Sequence, residues 1–264
     1  MELPIKSITN QNKGTRKLPI QFGEPVRPDL IKRAVLAVMS TKRQAYGAKP
    51  EAGQRASAKL SRRRRDYKTS YGLGISRVPR KVLSRRGTRM NWVGAVAPGT
   101  VGGRRAHPPK GFKKWEHKIN RKEKRKAIRS CLAATMSKDW IEKRIKEVPK
   151  EFPFLLEDRA EEIKSTKELA AMLKACGIEL SHEKKVRVGK GKLRGRRYRS
   201  SRGLLIVVAK DCPLMKAARN LLGVEVSRVN QLNAEILAPG AQPGRLALYT
   251  EGSIERIEKE KIFV

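Results

Sequence analysis

The chain has 264 residues, and its 62 Lys and Arg against 25 Asp and Glu give a formal net charge of +37 at pH 7. This surplus predicts tight association with a polyanion, with nucleic acid as the first candidate and an anionic membrane as the rival. The longest purely apolar run, Leu204–Ala209, is too short to cross a bilayer, and residues 1–10 lack the pattern of a secretory signal, so we expect a cytoplasmic protein.

The first quarter of the chain predicts one clear helix. Residues 1–24 are polar and irregular, which indicates a surface arm with one short strand. Pro28 and Asp29 are residues that favour the start of a helix. The spacing i, i+3, i+4, i+7 then gives that helix one apolar face, formed by Ile31, Ala34, Val35 and Val38.

A long basic segment interrupts the pattern. Residues 45–112 hold 17 basic residues against only Glu51 and Asp66, many glycines, and no sustained helical or strand period. Such a composition cannot bury a core of its own, and four consecutive Arg, Arg62–Arg65, repel one another unless phosphates lie alongside. A flexible tail is the alternative, but regular sequence on both sides favours a functional loop that a polyanion orders.

Two helices are predicted after this segment. Trp115–Lys138 is a long basic helix, charged on all sides in its first half. Its second half has one apolar face, formed by Ile128, Cys131, Leu132, Thr135 and Met136. Trp140–Val148 predicts a second, short helix.

Strands and helices alternate from residue 152 onward. Four strands are predicted at Phe152–Leu156, Leu204–Ala209, Val224–Val229 and Arg245–Thr250. Helices are predicted at residues 165–176, with a capping box of Ser165 and Glu168 and a stop at Gly177; at 211–222; at Gln231–Leu237; and from Ser253, as its cap, to Lys261. The alternation predicts an α/β fold, a three-layer α/β/α sandwich with a mostly parallel sheet and a long extended basic loop.

A second basic insertion lies between the first two of these strands, at residues 183–203. Residues 184–202 contain ten Lys or Arg and no acid, and Tyr198 is available to stack on a base. A merely solvated hairpin is possible, but we interpret the segment as a further RNA contact.

The residues of an enzyme site are missing from the sequence. There is no phosphate-binding loop; Gly72 and Gly74 lack the third glycine of a dinucleotide motif. His107, His117 and His182 have no Cys or carboxylate at ligand or triad spacing. The three cysteines, odd in number and widely spaced, are predicted to be free thiols: Cys131, Cys176 and Cys212. We therefore predict no catalytic, cofactor-binding or metal-binding residues, and no enzyme.

Seven segments carry a resemblance to a known family. They are RPDLIKRAV (27–35), GGRRAHPPK (102–110), NRKEKRKAIRSCLAAT (120–135), GKGKLRGRRYR (189–199), LLIVVAKD (204–211), KAARNLLGVEV (216–226) and LNAEILAPGAQPGRLALYTEGSIERI (232–257). In this order they resemble the universal large-subunit ribosomal protein "L-four" family, in its archaeal–eukaryotic form. The basic loop is similar to the family's loop at its start, residues 74–80, and at its return, residues 102–109.

The resemblance implies a structural constituent of the large ribosomal subunit. A single globular α/β domain, residues 1–45 and 113–264, would bind large-subunit (23S-type) ribosomal RNA, supporting subunit assembly and translation. An extended loop, residues 46–112, would run through that RNA to the wall of the nascent-peptide exit tunnel. The implied partners are this RNA, neighbouring large-subunit proteins including protein twenty-two at the tunnel constriction, and the nascent peptide.

These implications select two sets of residues. The predicted RNA-binding residues are Arg55, Lys59, Arg62, Arg63, Arg64, Arg65, Lys68, Arg77, Arg80, Lys81, Arg85, Arg86, Arg89, Arg104, Arg105, Lys110, Lys113, Lys114, Arg121, Lys122, Lys184, Lys185, Arg187, Lys190, Lys192, Arg194, Arg196, Arg197, Tyr198, Arg199 and Arg202. The predicted tip at the tunnel is formed by Arg85, Arg86, Arg89, Met90, Asn91, Trp92, Val93 and Gly94.

Two other functions compete with this interpretation. An RNA-modifying or RNA-processing enzyme could use the same α/β fold, and a cofactor loop or paired acids at strand ends would favour it. A chromatin-like architectural protein would instead prefer duplex DNA to folded RNA.

Overall fold

The computed structural model describes residues 1–66, 70–87, 89–145, 148–178, 184–200 and 202–263. The chain divides into two compact units. The first, which we call the body, comprises Met1–Lys42 and Glu116–Val264; the second, the insert, comprises Arg43–Trp115.

The body contains a six-stranded, mostly parallel sheet in the order β2-β1-β5-β10-β8-β9. Its strands are β1 (Glu2–Lys6), β2 (Asn12–Lys17), β5 (Leu155–Leu156), β8 (Leu205–Val208), β9 (Glu225–Arg228) and β10 (Ala247–Thr250). Only β2, at one edge, is antiparallel to its neighbour. The insert holds a two-stranded sheet of β3 (Arg80–Arg86) and β4 (Arg89–Gly94), and the body holds a second, β6 (Lys185–Val186) and β7 (Tyr198–Arg199).

Seven helices occur in the described parts of the chain. They are α1 (Pro28–Thr41), α2 (Arg121–Met136), α3 (Lys138–Glu142), α4 (Thr166–Ala175), α5 (Leu214–Ala218), α6 (Ala234–Leu237) and α7 (Glu251–Lys259). None of them has the length and apolarity of a membrane span.

The central strand residues alternate between two apolar clusters. Leu205 and Val207 of β8 pack in a cluster with α1, α2, α6 and α7, whereas Ile206 and Val208 pack in another with α3, α4 and α5. All four of these side chains are fully buried. This is why β8 is continuously aliphatic: a strand covered on both sides has no polar positions.

The amino-terminal arm differs from the prediction. Residues 1–24 form two strands rather than one, and β1 belongs to the main sheet, where Ile5 pairs with Leu155 of β5. Leu3 and Ile5 are buried because they alternate along β1 and so lie on one side of the sheet. The short apolar alternation was hidden among polar neighbours.

The helix starts also need correction. Helix α2 begins at Arg121, not at residue 115, and α3 ends at Glu142; residues 146 and 147 of the predicted longer helix lie outside the described residues. Ser165 occupies the N-cap of α4 but accepts no capping hydrogen bond, so the predicted capping box is not formed. The cap of α7 is Thr250, whose hydroxyl accepts from the backbone N–H of Ser253, one turn before the predicted cap.

Other predicted features are confirmed. The buried faces of α2 and α4 contain the predicted apolar residues, and Gly177 ends α4 in the left-handed region at φ +72°. The predicted strands at 204–209, 224–229 and 245–250 are present with slightly shorter bounds, while the strand at 152–156 is reduced to two residues. Of the three free cysteines, Cys131 and Cys176 are buried and Cys212 is half-buried.

Candidate RNA interface

The two ends of the insert meet through backbone contacts that we call the neck. The N–H of Ala48 donates to the carbonyl of Pro109 at 2.9 Å. Gly47 packs so closely on Gly111 that an added Cβ would collide with its backbone, and no larger residue fits there. The outgoing and returning chains are therefore paired at this point.

Aromatic and basic side chains flank the neck. The rings of Tyr46 and Trp115 stack with their centroids 5.0 Å apart and their planes at 27°. The guanidinium of Arg43 lies 4.2 Å from the Trp115 centroid, and the ammonium of Lys113 lies 5.1 Å from it. These cation–π contacts tie positive charge to the aromatic stack.

An open cleft of about 550 Å³ lies beside this stack, within the insert. Its wall includes Tyr46 and Trp115, the basic Arg105, Lys110 and Lys113, and the ring of Phe112, which is 83% exposed. The Nε1–H of Trp115 is buried and has no acceptor among the described residues. The cleft therefore combines positive charge and open aromatic surface.

Strands β3 and β4 of the insert form a hairpin. Arg86 pairs with Arg89 across a turn that begins at Gly87, which has φ +60°. The guanidinium of Arg80 lies 5.2 Å from the Trp92 centroid and donates to the carbonyl of Ser76 at 2.6 Å. The hairpin thus has a defined base and an arginine-rich end.

This hairpin corrects the prediction that the segment follows neither a strand nor a helix period. The register shifts between Val82 and Ser84, so Leu83 is an extra residue in β3. Such a bulge changes the side-chain alternation partway along the strand. The alternation of half-buried and exposed residues holds only from Arg80 to Leu83, which is 59% exposed, and is too short for the sequence pattern to reveal the pairing.

The insert has almost no apolar interior. Among its described residues, Ala95 is the only buried apolar one. Its exposed apolar side chains include Leu73, Leu83 and Val101. Burial of apolar surface is the main favourable term in folding, so little in the insert itself opposes its conformational entropy.

The second basic insertion forms a short hairpin of the body. The N–H of Arg187 donates to the carbonyl of Arg197 at 2.8 Å, and Gly195 turns the chain at φ +74°. Tyr198 is 53% exposed, and Leu193 is 89% exposed. This hairpin therefore exposes both basic and apolar side chains.

Ion pairs anchor the end of that hairpin. Arg202 and Lys42 both contact the carboxylate of Glu235, at 3.4 and 2.6 Å. Nearby, the fully buried Arg245 contacts the carboxylate of Glu225 at 2.8 Å and donates to the carbonyl of Gly203 at 2.8 Å. Burial lowers the pKa of Arg245 from its ordinary value.

The predicted RNA-binding residues are accessible wherever the structure describes them. Arg80, Arg104 and Arg187 are half-buried and the others are exposed, while Lys68 lies outside the described residues. Within the tip, Met90, Trp92 and Gly94 are half-buried and share one side of β4. No cluster of His, Cys, Asp and Glu with the makeup of a metal site occurs in the described ranges.

Sequence reasoning missed the aromatic stack. The sequence pattern predicts no role for Tyr46 and predicts Trp115 as the first residue of a helix, whereas α2 begins at Arg121. A signal was present: aromatic and basic residues flank both ends of the insert, where the two chain segments must come together.

The comparisons with known proteins agree with the sequence pattern. A family model described as "Ribosomal protein L4/L1 family" matches residues 17–260. The chain belongs to the ribosomal protein L4/L1 family. It is 45% identical to the "Large ribosomal subunit protein uL4" of Nanoarchaeum equitans over 268 residues, covering 100% of both chains.

Two further archaeal relatives carry the same name. The protein of Archaeoglobus fulgidus is 43% identical, with 97% of each chain covered. That of Halobacterium salinarum is 38% identical, with 97% of this chain and 99% of the relative covered. The resemblance to the L4 family predicted from the seven segments is confirmed, and so is its archaeal character.

Proposed function

We propose that this L4-family chain is a structural constituent of the large ribosomal subunit and binds large-subunit ribosomal RNA. The observation that carries the proposal is similarity over the full length to relatives that are named as large-subunit ribosomal proteins. The net charge of +37 and the exposure of the basic insertions support it. The protein acts in the ribosome, in the cytoplasm.

The body is the globular domain and the insert is the RNA-penetrating loop in this proposal. Two apolar clusters, one with each set of strand side chains, support a three-layer α/β/α sandwich for the body. The scarcity of buried apolar residues in the insert supports a loop that gains its order from RNA. The division of function falls at residues 46–112, close to the bounds of the compact unit Arg43–Trp115.

RNA binding uses phosphate contacts from the exposed arginines and lysines. Arg offers a planar fork that matches phosphate geometry. Arg62–Arg65 are exposed and consecutive, and like charges so close together are stabilised by phosphates between them. Folded RNA is recognised in this way by shape, phosphate and 2′-hydroxyl.

The β3–β4 hairpin is the tip at the exit tunnel, next to protein twenty-two and the nascent peptide. Its arginines are suited to RNA, while Trp92 and Val93 are suited to packing between surfaces. In subunits that carry a chain without Lys81–Val101, we expect a wider tunnel constriction in a density map. An unchanged constriction would place the tip elsewhere.

The role is structural rather than catalytic. The RNA-modifying alternative gains no support from the relatives, whose names describe a ribosomal component. The functional residues are those that bind RNA.

Co-sedimentation tests the proposal. The tagged chain should sediment with large subunits through a high-salt sucrose gradient and remain absent from small subunits. A matched variant with the ten basic residues of 184–202 changed to Gln controls for non-specific charge, because it removes one surface and keeps the insert. Recovery of the unaltered chain only at the top of the gradient would contradict the proposed function.

A further inference from the structure

The cleft beside the neck has features that phosphate binding alone does not require. Phe112 is 83% exposed and Tyr46 is 54% exposed, although both are large rings that are normally covered. Lys110 lies 5.5 Å from the Phe112 centroid, so positive charge accompanies the open ring. A solvated basic surface would need neither ring.

The size of the cleft fits a small planar group. Its volume of about 550 Å³ lies within the range of roughly 300–1,000 Å³ that small-molecule sites span. A nucleic-acid helix cannot enter such a space, but one base turned out of its stack can. Stacking on an aromatic ring suits any base, because every base has a π-face.

The polar groups around the cleft match the remaining parts of a nucleotide. Arg105, Lys110 and Lys113 lie on its wall and can neutralise the adjoining phosphates.

We propose that this cleft is a binding site for a single unstacked nucleotide of large-subunit ribosomal RNA. The base stacks on the open rings of Phe112 and Tyr46, and its phosphates meet the basic wall. The inference rests on the proposed function and adds a point of specific recognition at the neck. The RNA segment that carries this nucleotide is thereby bound at the neck of the insert.

Ultraviolet cross-linking of assembled large subunits, followed by mass spectrometry of the peptides, tests the site directly. We expect a nucleotide adduct on Tyr46, Phe112 or Trp115, and the same single nucleotide position in the RNA each time. Adducts on residues 184–200 with none on the cleft would overturn the inference and leave the proposed function intact. A cross-link from the cleft to another protein would also overturn it. Failure of the chain to enter large subunits would remove both.

Binding measurements on the full chain provide a second test. Phe112→Ala should weaken binding of a large-subunit RNA fragment about tenfold, the size of effect that losing a base–aromatic stack produces. Ile20→Ala is the matched control, because Ile20 is 93% exposed on the body and outside the cleft. Equal affinities of the two variants would contradict the proposal.

The salt dependence separates this effect from unfolding of the insert. Phe112→Ala removes no charge, so the slope of log K against log[salt] should stay the same. A shallower slope for Phe112→Ala would mean that phosphate contacts were lost with the fold, and would count against a local stacking role.

Discussion

Arg245 shows how one buried cation can hold several chain segments together. Its Nε donates to Gly203, its Nη1 to the carbonyl of Ile236 at 2.6 Å and to Glu225, and its Nη2 to Leu204 at 3.3 Å. The side chain is fully buried, so each of these groups would lose its partner if the guanidinium were removed. These contacts join the segment just before β10, which carries Arg245, to the residues at the start of β8.

We therefore expect Arg245→Met to lower the free energy of unfolding by roughly 3–5 kcal/mol, because it leaves buried polar groups without partners. Arg159→Met is the control: Arg159 is 72% exposed and lies 3.6 Å from Glu157, an arrangement worth about 1 kcal/mol or less. Urea unfolding of both variants measures the difference. Similar losses in the two variants would contradict the assigned role of Arg245.

Cys131 gives a prediction in alkaline solution. Burial raises the pKa of its thiol from 9.0 to about 12. The folded chain therefore keeps a proton that the unfolded chain loses, so this contribution to stability is complete below pH 9 and is lost as pH rises towards 12. The wild type should lose stability faster than Cys131→Ala in this range, by up to about 1.4 kcal/mol per pH unit. Urea midpoints at successive pH values test it; parallel curves would show that the thiol does not contribute.

The sequence predicts the role of single residues where their spacing along the chain is sufficient to determine it. The buried face of α2 follows from a helical period, and Gly177 follows from the need for a left-handed residue. The helix caps could not be predicted in this way. Ser165 fits a capping motif but accepts no capping hydrogen bond, and Ser253 is not the cap of α7, because its N–H donates to the hydroxyl of Thr250. The Tyr46–Trp115 stack is a contact between residues far apart in sequence, which no local pattern specifies.

At the scale of elements, regular strands were predictable and irregular ones were not. Strand β8 is predictable because its four consecutive residues are aliphatic, as expected for a strand that helices cover on both sides. Strand β3 loses its alternation at a bulge at Leu83, and the alternation of β1 covers only two buried apolar side chains, so neither strand gives a sustained pattern. Tertiary pairing, rather than local pattern, creates both.

The turn of the β3–β4 hairpin leads to a prediction about this element alone. Gly87 has φ +60° and open space around it, so a side chain there meets no clash but strains the backbone. Gly87→Val should destabilise the hairpin by about 1–2 kcal/mol. In the RNA-bound chain, amide hydrogen exchange of Arg80–Gly94 should accelerate, with the body unaffected. Gly14→Val, at an open position of β2 without positive φ, is the control; acceleration in both variants would contradict the turn's importance.

At the scale of the whole molecule, the body and the insert depend on different forces. Leu205 of the body is fully buried, and Leu205→Ala should cost roughly 2–5 kcal/mol. The insert has one buried apolar residue in its described part, so deletion of Lys81–Val101 should leave the thermal unfolding of the free body nearly unchanged. Calorimetry of the two variants tests this contrast. A deletion variant that melts far below the full chain would mean that the hairpin supports the body.

The number of basic residues in the two insertions predicts how RNA binding responds to salt. Residues 45–112 and 184–202 contain 17 and ten basic residues, together 27. If about a third neutralise phosphates, log K against log[salt] should have a slope of order −6 to −8. Filter binding of a large-subunit RNA fragment at several salt concentrations measures it. A slope shallower than about −3 would mean that most of this charge lies away from the RNA.

The neck also bears on how the insert can change in length. Because Gly47 and Gly111 already bring its ends together, residues added to the β3–β4 hairpin do not have to close a new loop from the body. Doubling a closed loop costs only about 0.6 kcal/mol in chain entropy. Residues can therefore be added to or removed from the β3–β4 hairpin, in natural relatives or by design, while Gly47 and Gly111 keep the ends of the insert paired.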